Sequence, residues 1–253
     1  MNRKQFDKWT ARLALLTLLL TAVPVFCSMQ HSSEQPDWTT APQASAASFQ
    51  QSTQTESTPV VKKVLFIGDS MTGWMAERFN AYADNNNFEV ATIVWDGSTI
   101  SKWANSPNLS KIISEQAPDA IIVSLGMNEL FEANPQNRLK ESVDKLKEKF
   151  GDIPFLWIGP PSWPGHSEGE VLNKWLLSEL GNEHFFRSFD LTIPRQSKSN
   201  PHPTRNGIEE WIDEVAAWIP GNSALNFESM NPPESGKFSR SKTFIYKRMK
   251  ENL

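Results

Sequence analysis

The chain has 253 residues, a formal net charge of −4 and one cysteine, Cys27. That charge gives no basis for expecting nucleic-acid binding, and a single cysteine excludes an internal disulfide. What remains informative is local pattern, taken here from the N-terminus onward.

Arg3, Lys4, Lys8 and Arg12 precede the uncharged run "LALLTLLLTAVPVFC" at 13–27. A basic start followed by a short apolar run reads as a secretory signal. The run is short for a membrane span, which needs about 20 apolar residues. Residues 1–28 are therefore expected to be a signal peptide, with an uncleaved N-terminal anchor as the second reading. Lipidation of Cys27 ranks below cleavage, because the bulky Phe26 precedes it where a small residue is wanted. Cleavage is expected near 27–30 or at "ASA", 44–46. From Ser28 to Val60 there is no Lys or Arg, and Ser, Thr, Gln, Ala and Pro dominate. Such a composition cannot bury enough apolar surface to offset ordering entropy, so 29–60 reads as a flexible linker. The folded domain is expected at 61–222, and export points to the periplasm or cell envelope.

Five apolar runs follow: "VVKKVLFIG" (60–68), "FEVATIVWDG" (88–97), "DAIIVSLG" (119–126), "IPFLWIGPP" (153–161) and "HFFRSFDL" (184–191). Helical spacings separate them. Leu139, Val143, Leu146 and Phe150 form one stripe, and Val171, Leu172, Trp175, Leu176 and Leu180 another. The strongest stripe is Ile208, Trp211, Ile212, Val215, Trp218 and Ile219. Strands alternating with amphipathic helices predict an α/β fold with a parallel sheet covered on both faces. In such a sheet ligands gather at the carboxyl ends of the strands.

Several chemistry-bearing residues fall on that edge. Ser70 follows the first strand in "GDS", where a helix starting near Thr72 would favour negative charge. Gly97 follows the second strand, and Asn128, in "GMNE", follows the third. A hydroxyl, two backbone N–H groups and a side-chain amide are what an acyl-transfer site needs as nucleophile and oxyanion donors. Each residue also has an ordinary reading: Ser70 as a helix cap, Gly97 as a turn residue, Asn128 as a loop residue. A serine nucleophile needs a base. His31 lies in the linker, and His184 opens the fifth strand at the opposite edge. His166 follows the fourth strand and His202, in "SNPHPTRNG", the fifth; His202 is preferred because Pro201 and Pro203 restrict its backbone.

Together "GDS" at Ser70, Gly97, "GMNE" with Asn128 and "HPTRNG" with His202 resemble, in order, the motifs of the SGNH (GDSL-like) hydrolases, over about 61–220. The resemblance implies a three-layer α/β/α fold with a five-stranded parallel sheet, flavodoxin-like in layout, and ester-hydrolysing chemistry without cofactor or metal. It implies Ser70 as nucleophile, His202 as base, and the Ser70 N–H, Gly97 N–H and Asn128 amide as the oxyanion hole. Two positions depart from the pattern. Glu129 stands where the family has Asp after its Asn. Ser199 stands where the family has the Asp that orients the histidine. A Ser-His dyad, with a backbone carbonyl or Ser199 orienting His202, is one outcome. A substitute acid, with Asp190 nearest, is another, and a catalytically inactive site is the third.

The expected substrate is an O-acylated cell-envelope glycan, with glycan acyltransfer or a non-catalytic glycan-binding module as alternatives. Trp74, Trp103 and Trp163, in or near the edge loops, are read equally as packing residues or sugar-stacking faces. Residues 223–253 carry Lys237, Arg240, Lys242, Lys247, Arg248 and Lys250 near their end. They read as a basic tail, solvated by default, with contact to an anionic envelope polymer or membrane surface as the sharper expectation.

Overall fold

The computed structural model describes residues 59–163 and 165–240, together with the strand at 246–248. The expected leader and nearly all of the expected linker lie outside the described residues. Among the described residues no helix is long and apolar enough to cross a membrane.

The elements run β1 (Lys63–Gly68), α1 (Ser70–Asn86), β2 (Glu89–Val94), α2 (Ile100–Asn105), α3 (Asn108–Gln116), β3 (Ala120–Ser124), α4 (Pro135–Phe150), β4 (Phe155–Ile158), α5 (Gly169–Leu180), β5 (Phe185–Phe186), α6 (Arg205–Asn222) and β6 (Tyr246–Arg248). Short 3-10 turns occupy Met127–Glu129 and Ser188–Asp190. The strands pair in the order β5-β4-β3-β1-β2-β6, all parallel. The five expected strands therefore form the flavodoxin-like order 2-1-3-4-5, and β6 extends the β2 edge.

Strands with both faces covered should be apolar throughout rather than alternating, and β1 is: Val64 to Ile67 are fully buried. Val64 and Phe66 pack with Met75, Phe79, Trp211 and Val215 of α1 and α6. Leu65 and Ile67 pack with α2 to α5 through residues such as Trp103, Leu109, Val143 and Leu176. These two cores give the three layers. Trp103 is fully buried in the second of them, and its Nε1 donates to Ser98 Oγ at 2.9 Å. Its sugar-stacking reading is thereby corrected to packing.

The fifth strand is shorter than its apolar run. Only Phe185 and Phe186 pair with β4; the chain then turns at Ser188, whose hydroxyl accepts from Trp211 Nε1 at 2.7 Å. That buried bond to α6 ends the strand.

Residues after Gly221 depart from the solvated-tail expectation. Arg78 on α1 is 1% exposed, and Asp213 of α6 grips its guanidinium with two bonds of 2.8 Å. Its remaining donors reach the carbonyls of Glu234 at 3.0 Å and Lys237 at 2.9 Å. Asn86 adds bonds to the Asn231 backbone at 2.7 and 2.8 Å. A buried guanidinium requires every donor to be satisfied, and the segment 223–240 supplies the carbonyls that α1 and α6 lack. Of the tail's remaining residues, only the strand 246–248 is described; the surface contact expected of the others lies outside the described residues.

Candidate active site

The register levels the strand ends. Gly68 pairs with Val94 on one side and Ser124 on the other. The chain therefore leaves β1, β2 and β3 at the same height, beside the point where strand order reverses. Close approach there demands glycine at 68. A Cβ at that position would drive into the Ser124 carbonyl and the Thr72 hydroxyl. Asp69 caps α1, accepting the Met71 N–H at 2.8 Å. Ser70 thus opens the helix, where the first backbone N–H groups have no intrahelical acceptor. The cap that Ser70 could have supplied is supplied by its neighbour, which leaves the serine hydroxyl available.

That hydroxyl lies 3.1 Å from His202 Nε2. The orientation of the ring follows from Asn200. Its Oδ1 accepts the His202 backbone N–H at 3.0 Å and faces His202 Nδ1 at 2.8 Å. A backbone N–H can only donate, so the Asn200 atom facing it is the oxygen. Nδ1 therefore carries the proton, and Nε2 presents its lone pair to Ser70. The Asn200 amide nitrogen is itself held by Gln196 Oε1 at 2.9 Å. Burial lowers the His202 pKa below its ordinary value; Asp96 opposes this and Arg195 adds to it. Burial thus favours the neutral imidazole.

The loop carrying His202 is closed on itself. Arg195 and Pro203 form an antiparallel bridge, Gln196 N–H reaches the His202 carbonyl at 3.0 Å, and Thr204 N–H reaches Pro194 at 2.8 Å. Arg195 donates to the carbonyls of Pro201 and Ser162 and stands 5.2 Å over the Trp163 ring. This arginine ties the histidine loop to the β4–α5 loop. Trp74, 43% exposed, packs against the imidazole at 5.5 Å between ring centroids.

On the other side of Ser70, the Asn128 amide donates to the Ser98 carbonyl at 2.7 Å and more loosely to Asp69 Oδ2 at 3.3 Å. The looser bond is the one an incoming oxyanion could replace, since such contacts tighten only with ligand bound. Gly97 adopts φ +65°, in the left-handed region that favours glycine, with open space where a Cβ would sit. Two acids underlie this side, Asp69 buried and Glu129 partly so. Burial pushes the Asp69 pKa up to about 7 against its Met71 bond, with Asp96 adding to the rise. Burial likewise pushes Glu129 to about 7, against its 2.6 Å bond from Ile100 N–H, and Asp69 adds.

Three other sequence candidates stand elsewhere. Both Asp190 carboxylate oxygens accept from Arg187, at 2.6 and 2.7 Å, and the atom that contacts His202 Nδ1 belongs to Asn200 instead. Ser199 faces Ser197 at 3.4 Å and does not bond the imidazole. His166 packs on Phe131 and lies 3.3 Å from Glu168. The residue that does contact Nδ1, Asn200, was not singled out by sequence. The available signal was an amide two residues before a histidine flanked by prolines.

Solved structures share this architecture. That of TesA superposes with a TM-score of 0.50 at 17% identity, covering 63% of this chain and 98% of that one. The psychrotrophic esterase EstA from Pseudoalteromonas sp. gives 0.48 at 17% identity, covering 62% and 98%. The family 3 carbohydrate esterase of Clostridium thermocellum gives 0.47 at 13% identity, covering 62% and 98%. No family model and no curated protein matches the sequence. At such identities likeness speaks to fold, and the TesA match carries it: the chain has the three-layer α/β/α fold of the SGNH hydrolases, the family its motifs resemble.

Proposed function

We propose that the chain is an exported serine ester hydrolase that removes O-acetyl or short acyl groups from a cell-envelope glycan. The observation that carries the reading is the 3.1 Å contact between Ser70 Oγ and an imidazole whose tautomer is fixed from behind by Asn200. Export rests on the basic-then-apolar N-terminus. The glycan rests on that compartment and on the exposed Trp74 face beside the base.

In this reading His202 Nε2 takes the Ser70 proton as Oγ attacks the ester carbonyl. The oxyanion forms against the Ser70 N–H, the Gly97 N–H and the Asn128 amide. His202 then hands its proton to the departing alcohol, leaving acyl-Ser70. Water, deprotonated by the same imidazole, releases the acid and restores the serine. Asn200 positions the ring as an aspartate would, but it offers the imidazolium no counter-charge.

The full chain, wild type and Ser70→Ala, should be assayed with p-nitrophenyl acetate. Turnover that disappears with the hydroxyl supports the proposal, and equal rates overturn it. Acyl transfer to an added sugar in preference to water would make the protein a transferase using the same residues.

A further inference from the structure

A cleft of about 630 Å³ opens beside the Ser70–His202 pair without including either residue. Trp74 and Glu77 of α1, Pro203, Arg205 of α6, and Phe238 and Arg240 of the C-terminal segment are among its walls. The cleft adjoins the base directly, because Trp74 packs on the imidazole and Pro203 follows it in the chain.

Its charge is uneven. Arg240 donates to Glu77 at 2.5 Å, and that pair neutralises itself. Arg205 is exposed, and its guanidinium lies 3.7 Å from the Phe238 ring centre. Two arginines against one glutamate leave one positive charge among the lining residues. Glu209, four residues further along α6, accepts the Gly236 N–H at 2.7 Å and lies 3.6 Å from Arg78; it also acts on Arg205 and offsets part of that charge, but it does not line the cleft.

The chemistry of the pair assigns the cleft a side. A base that returns its proton to the leaving oxygen must face the alcohol part of the ester, while the acyl oxygen faces the oxyanion donors. Space next to His202 therefore belongs to the alcohol. An exposed indole offers a flat face for a sugar ring, and a guanidinium offers paired donors to an anionic group.

We propose that this cleft is the alcohol subsite and that it takes a sugar bearing one negative charge, read by Arg205. The proposal rests on the esterase reading above and names the substrate class for the same site. One charge in the lining matches a sugar carboxylate or a sugar phosphodiester, and the test separates the two.

The full-length protein should be assayed with an O-acetylated oligogalacturonate, an O-acetylated galactan fragment of equal length and an O-acetylated glycosyl phosphodiester. At low salt, kcat/KM should favour one or both anionic substrates over the neutral one by about tenfold or more, the scale of a charge-assisted hydrogen bond. The better anion identifies the group. The preference should shrink at high salt, fall to near one in Arg205→Gln and return in part in Arg205→Lys. A neutral substrate turned over equally well, or an Arg205→Gln preference equal to wild type, overturns the subsite. Binding of unacetylated oligogalacturonate to Ser70→Ala, read by tryptophan fluorescence, needs no turnover. Quenching that depends on Arg205 supports the subsite even if Ser70 proves inert, and quenching indifferent to Arg205 rejects it. Loss of p-nitrophenyl acetate turnover as a Ser70-dependent signal would sink the esterase reading alone.

Discussion

The two flanks of Ser70 are built from opposite materials. On the Asn128 flank stand two carboxyl groups, Asp69 buried and Glu129 partly so, each accepting a backbone N–H. On the base flank the imidazole contacts a neutral amide, and two ions act on it, Asp96 and a half-buried arginine bonded to carbonyls. Both arrangements lower the charge that stands at the serine before reaction. An ionised Asp69 would repel an oxyanion, but burial brings its pKa to about 7. A carboxylate behind His202 would raise its pKa, but an amide fixes the tautomer without doing so.

Removing the base should cost most. His202→Ala should lower kcat by roughly 10⁴-fold or more, the scale at which serine hydrolases lose a base. His166→Ala should stay within about threefold of wild type. A large loss in the second variant with little in the first would move the base to the other loop.

Asn128→Ala comes next, at roughly 100- to 1000-fold in kcat with KM little changed. Circular dichroism should show the fold retained. An effect confined to KM would mean that the amide positions substrate rather than binding the oxyanion.

Charging the neutral flank should produce a gain. Asn200→Asp should raise kcat by about tenfold, because a charge-assisted hydrogen bond is roughly twice as strong as a neutral one. The carboxylate should also raise the His202 pKa, moving the acidic limb of the kcat/KM profile to higher pH. Ser199→Asp should leave both unchanged, since that side chain faces Ser197. A gain from Ser199→Asp without one from Asn200→Asp would break the assignment.

The acidic flank should show in stability. Unfolded carboxyls release protons near pH 4, whereas Asp69 and Glu129 hold theirs to about 7. Between those values the native state binds more protons, so raising the pH favours unfolding. Tm should fall from about pH 4 to about pH 7 and level off above. Glu129→Gln should flatten part of that slope. A Tm that rises through the same window would show both groups ionised in the fold.

The sheet and the serine were legible because their signals are short-range. Apolar runs mark buried strands, and "GDS" after the first marks a tight strand-to-helix turn, although the cap read for Ser70 falls to Asp69 and the helix starts two residues earlier than Thr72. The histidine was legible from its flanking prolines. Asn200 was not, because its role depends on a two-residue reach back to the ring inside a loop closed by Arg195. Trp103 looked like an edge residue because it follows the β2 turn, but α2 rolls it into the core. Arg78, in "MAERFNAYA", has the sequence of a solvated helix face. Only the return of residues 234–237 across α1 makes it a buried one.

That return sets the order in which the molecule can be completed. Arg78 meets Asp213 across 135 residues and the Glu234 carbonyl across 156. A growing polypeptide exposes Arg78 early and gains its last two acceptors only once residue 237 has emerged. Until then Asp213 of α6 can pair with Arg78, but two of the guanidinium's donors lack their carbonyls. A chain stopped at 222 would be held in that state permanently. Leaving buried donors without acceptors costs roughly 1–3 kcal/mol, a sizeable part of the stability of an ordinary domain. Residues 234–237 thus complete the anchoring of the first helix, the element that Ser70 opens.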